Sequence, residues 1–166
     1  MSTFSITSFN ALWGRTVDAV PFDLHQVVER FDTDVISLQE VWEPDAGGSG
    51  LEATAARLGY QLLHVPLSGS FVDPGPEITP HPHEAEGTWG VALLTRLPVR
   101  STRVVDLGRM VERWDVAHRY ALLAELDLDG IAITVTALHL SFVLPNAAAP
   151  LRRLDGYLPA HRPSVV

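Results

Sequence analysis

The sequence contains no cysteine and no lysine. Without cysteine there is no disulfide framework, no zinc–thiolate centre and no thiol nucleophile. The first ten residues mix polar and apolar side chains without a basic flank or a long apolar core, so neither a signal peptide nor a membrane span is expected there. A cytoplasmic location is the resulting expectation. No internal repeat, low-complexity tract or domain boundary is evident. Positive charge is also scarce, with 12 basic residues, all arginine, against 20 acidic ones and a formal net charge of -8. A globally acidic chain is repelled by polyphosphate at long range, which argues against a non-specific nucleic-acid coat protein but leaves room for a local basic site.

What is present suffices for one folded core. The chain has 166 residues, 46% hydrophobic and 19% charged, which fits a single domain and excludes disordered or fibrous classes. The charge is uneven. Residues 1–95 carry 13 acids and 3 arginines, whereas residues 96–119 carry 6 arginines (Arg96, Arg100, Arg103, Arg109, Arg113 and Arg119) and 3 acids. That stretch reads either as a solvated strand pair or as a surface for an anionic substrate.

Alternation and β-forming residues predict a strand over residues 4–9, ending at Asn10. A helix follows, with Pro21 in its first turn and Phe22, Leu24, Val27, Val28 and Phe31 on one stripe. The run DVISLQEVW is a strand buried on both faces, with Glu40 at its carboxyl end. Leu51–Leu58 is a second helix stopped by Gly59, and Tyr60–Pro66 a third strand. Residues 68–87, rich in proline and glycine, form a long surface loop. Strands are expected at Trp89–Thr95, Val99–Leu107, Tyr120–Leu128 and Ile131–Leu140, the last two joined as a hairpin across Asp129 and Gly130. Ala147–Leu158 reads as a helix, and Pro163 leads into Ser164, Val165 and Val166. The fold class is mixed α/β (α+β), with a parallel element early and antiparallel pairs later.

Three polar residues end or interrupt apolar strands: Asn10, Glu40 and His139. Each alone is more commonly a satisfied structural group than a catalytic one, but such ends gathered at one sheet edge make a plausible site. A separate group, His81, His83, Glu84 and Glu86, has metal-ligating residue types, although Pro82 limits convergence of the two histidines and the segment reads as a solvated loop.

The segments SFNALWG with Asn10, DVISLQEVW with Glu40, GTWGVALLTRLPV (87–99) and TALHL with His139 together resemble the endonuclease/exonuclease/phosphatase family, whose fold is that of deoxyribonuclease I. The resemblance implies a mixed sheet flanked by helices, as in the first part of a four-layer sandwich. It also implies a metal-dependent phosphoester hydrolase. Glu40 would hold Mg²⁺ (or Mn²⁺), Asn10 would support the metal and phosphate environment, and His139 would contact the scissile phosphate. Arg119 matches a phosphate-contacting arginine, or pairs with Asp115, or with nothing. The substrate would be a phosphoester of nucleic acid, a phospholipid headgroup or a small molecule.

The family's later motifs, a Gly-Asp-x-Asn segment and an Asp-His pair, have no match in residues 1–166. The expectation is therefore a single incomplete domain, weakly active or inactive by itself. The alternative is a remnant acting as a binding module. Val135–Leu140 and neighbouring strands are expected to leave an apolar face uncovered and available for self-association.

Overall fold

The computed structural model describes residues 3–18, 20–44, 50–69, 87–109, 118–140 and 144–166. The loop expected at residues 68–87, with its His81–Glu86 group, falls almost wholly outside them, as does Asp115.

Two four-stranded sheets form the fold. The first has the order β1-β2-β4-β3, from β1 (Ile6–Asn10), β2 (Val35–Pro44), β3 (Gln61–Gly69) and β4 (Gly87–Thr95). The second has the order β5-β6-β7-β8, from β5 (Val99–Arg109), β6 (His118–Leu128), β7 (Ile131–Leu138) and β8 (Ser164–Val165). β1 runs parallel to β2 and β8 parallel to β7, and all other pairs are antiparallel. The early parallel element and the later antiparallel run thus agree with the pattern of the sequence. The β6–β7 turn places Asp129 at φ +51° and Gly130 at φ +86°, the left-handed pair that a two-residue hairpin matching the twist of its strands requires.

Three apolar clusters arrange these elements as helix, sheet, sheet, helix. Between the sheets, Val35, Trp89, Val91 and Leu93 meet Leu122, Leu126, Ile133 and Val135, all buried. On the outer face of the first sheet, Ile36, Leu38 and Leu94 pack against Val28 of α1 (Leu24–Glu29) and against Leu51 and Ala55 of α2 (Leu51–Arg57). On the outer face of the second, Val105, Leu107 and Leu123 receive Leu154 of α3 (Leu144–Asp155). Each fully buried Leu, Ile or Val contributes about 1.5–3 kcal/mol relative to exposure.

Several local expectations change. Pro21 does not open α1. It forms a bridge with Arg15, and the helix starts later because Asp23 Oδ1 accepts from the His25 and Gln26 amides at 2.9 and 3.4 Å, a stronger start signal than a proline. The expected bare apolar face is covered at Val135 and Ala137, which are 0% exposed because the first sheet packs on them, whereas Leu138 and Leu140 border open space. β7 stops at Leu138, so His139 lies just past the strand.

Candidate active site

β2 does not end at Glu40. It continues to Pro44 through a bulge, where Gln39 and Glu40 together oppose a single residue between the Leu38–Ala92 and Val41–Gly90 pairs. Glu40 sits at φ +53°, a left-handed conformation that costs a residue with a Cβ about 1–2 kcal/mol. The bulge resets the alternation, so that Leu38 and Val41, three residues apart, both face the helices while Trp42 faces the second sheet. The inserted residue is thereby released from both faces, and its carboxylate turns to the joint between the sheets.

There it meets side chains from three other strand ends. Asn10, the last residue of β1, donates from Nδ2 to Glu40 Oε1 at 3.1 Å and accepts the Leu12 amide on Oδ1 at 2.9 Å. That second bond holds the turn Leu12–Gly14, in which Leu12, Trp13 and Gly14 all have positive φ. From the second sheet, His139 Nε2 lies 3.2 Å from the same Glu40 Oε1. Arg119, near the start of β6 and 5% exposed, donates from Nη1 to the His139 carbonyl at 3.3 Å. The fold thus brings together Asn10, Glu40, His139 and Arg119.

The other oxygen, Glu40 Oε2, is buried and has no hydrogen-bond partner among the described residues. Burial works most strongly against ionisation of this carboxyl. The hydrogen bonds from His139 and Asn10, with the positive charges of His139 and Arg119, outweigh it and hold the group below the ordinary carboxylate value of 4.5. An ionised oxygen buried without a partner is costly unless something positive completes it. The donor set fits a hydrated Mg²⁺ or Mn²⁺, which takes one or two carboxylates and keeps several waters. It does not fit an all-protein cage, since no group of three or more His, Asp or Glu side chains suited to a metal occurs among the described residues.

Trp89 of β4 is a further member that its apolar strand setting concealed. It is 7% exposed, its ring stands edge-on to His139 with centroids 5.9 Å apart and planes at 88°, and the Arg119 guanidinium lies 6.0 Å from its centroid. Beside His139 opens a groove of about 550 Å³ between the β1 and β8 sides of the two sheets, lined by Ser8, Ser37, Gln39, Thr136 and Val165 among others. Three other arginines of the basic stretch are engaged elsewhere. Arg96 pairs with Asp32 and lies over Tyr60, Arg100 binds Asp127, and Arg103 lies over Tyr157. Of the two readings of that stretch, the solvated strand pair holds for Arg96, Arg100 and Arg103, whereas Arg119 reaches the joint. No described helix is long and apolar enough to cross a membrane.

The model of the Endonuclease/Exonuclease/phosphatase family matches residues 7–157. Among solved structures, the chain is similar to the endonuclease/exonuclease/phosphatase from Beutenbergia cavernae DSM 12333, with 22% identity, a TM-score of 0.75, and coverage of 99% of this chain and 46% of that one. It is similar to ANGEL2, a 2',3'-cyclic phosphatase solved with adenosine-2',3'-vanadate, with 18% identity, a TM-score of 0.61, and coverage of 93% and 48%. It is also similar to sphingomyelinase C from Streptomyces griseocarneus, with 19% identity, a TM-score of 0.59, and coverage of 95% and 60%. The chain therefore spans about half the length of these proteins. No curated protein matches it by sequence.

Proposed function

The chain belongs to the endonuclease/exonuclease/phosphatase family, and on that premise we propose that its joint site binds a phosphoester beside a hydrated Mg²⁺ or Mn²⁺ ion and contributes to its hydrolysis. The observation that carries this reading is the convergence of Asn10, His139 and Arg119 on one carboxylate whose second oxygen is buried and unpartnered. Glu40 would hold the metal through Oε2. The ion, when bound, would stabilise charge on a phosphate or leaving oxygen.

The chain's own side chains have separate tasks. Asn10 fixes the Glu40 carboxylate by bonding Oε1, leaving Oε2 free. Arg119, with its guanidinium planar and always charged, suits a phosphate oxygen. His139 offers a ring nitrogen at the same edge, able to donate to phosphate. The likeness to a 2',3'-cyclic phosphatase and to a sphingomyelinase keeps nucleic acid, phospholipid headgroups and small phosphoesters all open as substrates, since these proteins share the fold and differ in what they cleave.

The test is turnover of a phosphodiester and phosphomonoester panel with Mg²⁺ or Mn²⁺, with and without chelator. Metal-dependent turnover lost in Glu40→Gln supports the reading, and turnover indifferent to both chelator and Glu40→Gln overturns it.

A second reading rests on a different observation, the groove beside His139 where β1 and β8, the terminal strands of their sheets, border open space. There the chain would act as a binding module and self-associate. Sedimentation over a range of concentrations separates the two states.

A further inference from the structure

Asn10 and Glu40 belong to the first sheet, Arg119 and His139 to the second, and no strand is shared between the sheets. The short link from β4 to β5, whose backbone bonds both sheets through Arg96 N to Asp34 O and Asp127 N to Pro98 O, ties them at the far end of β4; at the joint, their relative slide is set by the side chains that interlock there. A phosphate and a metal can be held together only if that slide is fixed at the joint.

Resting on the reading of the site as a phosphoester site, we infer that Trp89 is its positioning residue, the side chain that registers the phosphate-facing pair of one sheet against the metal-facing pair of the other. Trp89 stands on β4, between β2 and β3, and pairs in register with Trp42 just beyond the Glu40 bulge. It is anchored to the same strand pair that carries Glu40. Its ring points across the interface, where it contacts both members of the other half: His139 edge-on at 5.9 Å and Arg119 at 6.0 Å. The Arg119 bond to the His139 carbonyl at 3.3 Å ties those two together.

The chemistry of the contact selects an aromatic ring rather than any apolar filler. Edge-on ring packing and attraction of a guanidinium to a ring both depend on orientation, because both arise from the ring quadrupole. A leucine could fill comparable space but would give the imidazole no oriented ring to pack against and the guanidinium no aromatic face. Trp89 makes no hydrogen bond to Glu40 or Asn10, so it reaches them through the sheet and through the His139 ring, whose Nε2 lies 3.2 Å from Glu40 Oε1.

The test uses isotopically labelled chain and two probes, inorganic phosphate and Mn²⁺. In the wild type, magnetisation transfer between the Trp89 indole and the His139 imidazole is expected, with the His139 Cε1–H resonance displaced from its free position by the indole ring current. Trp89→Phe should keep a displaced resonance and most phosphate affinity. Trp89→Leu should lose the displacement and about tenfold or more in phosphate affinity, the scale of a misplaced contact, with a distinctly smaller change in Mn²⁺ affinity. Absence of the indole–imidazole transfer in the wild type overturns the inference without need of any variant. Unchanged phosphate affinity in Trp89→Leu overturns it too, as does a joint loss of both affinities in Trp89→Phe, which marks a general structural role. If the wild type binds neither probe while the His139 signal still depends on Trp89, the phosphoester reading fails and the positioning stands.

Discussion

Asn10 Nδ2 donates to Glu40 Oε1 at 3.1 Å across 30 residues of chain, while Asn10 Oδ1 accepts the Leu12 amide. One amide therefore orients the central carboxylate and ties down the turn that follows its own strand. Asn10→Asp keeps the acceptor and replaces the donor with a second negative oxygen facing Glu40. It should lower stability by about 1 kcal/mol at neutral pH, read from urea unfolding, with much of the loss recovered in mild acid as one carboxyl takes up a proton. Asn10→Ala should instead show its loss at all pH values.

Gly90 explains how a bulky side chain crosses β4. A Cβ there would lie 2.2 Å from the Val65 carbonyl oxygen and 2.8 Å from His64 Nε2. The bare backbone lets His64 of β3 lie over β4 and reach Glu43 of β2, with Nδ1 2.8 Å from the carboxylate. Gly90→Ala should cost about 1–3 kcal/mol through overpacking, measured as a lower denaturation midpoint with an unchanged slope.

His64 also carries a pH dependence. Burial lowers its pKa from the ordinary 6.5, against the opposing pull of Glu43. The unfolded chain then binds a proton more readily than the folded one, so stability is full above 6.5 and falls as pH drops from there towards the lowered folded value. His64→Gln should flatten that part of the profile, and a wild type with equal unfolding midpoints at pH 7.5 and 5.5 would count against it once other titrations are subtracted.

Leu154 is the buried anchor of α3 on the second sheet, 1% exposed among Val105, Leu107, Ala121 and Leu123. Leu154→Ala should cost about 2–5 kcal/mol and leave Mn²⁺ binding at Glu40 intact once the protein is folded. Isothermal titration below the lowered melting point checks both halves of that statement.

The strand residues of both sheets were legible because their alternation and β-branched content respond to local burial. Glu40 and His139 stood out for the opposite reason, as charged or titratable groups in apolar runs. The conformation of Glu40 was not legible as a bulge, although Leu38 and Val41 at a spacing of three are its trace in the sequence. A pattern of period two accommodates that spacing only by turning one residue out of line. Trp89 stayed hidden because its strand is apolar throughout, and its role depends on what the opposite sheet presents. The covering of Val135 was missed for the same reason: which sheet faces which is set by long-range packing that no local period records. Pro21 was misplaced because a proline at a first turn and a proline in a bridge share the same φ, and the Asp23 side-chain bonds decide between them.

The bulge in β2 also defines a reading frame for the site. Removing residue 40 alone would restore unbroken alternation from Leu38 to Trp42 and relieve the left-handed backbone at that point, so a chain with this single deletion should fold at least as well as its parent. It would lack the carboxylate that the described residues bring to the joint. In any set of related sequences, the length of this strand, counted between its two helix-facing apolar residues, separates chains that turn a residue out into the joint from those that keep only the scaffold.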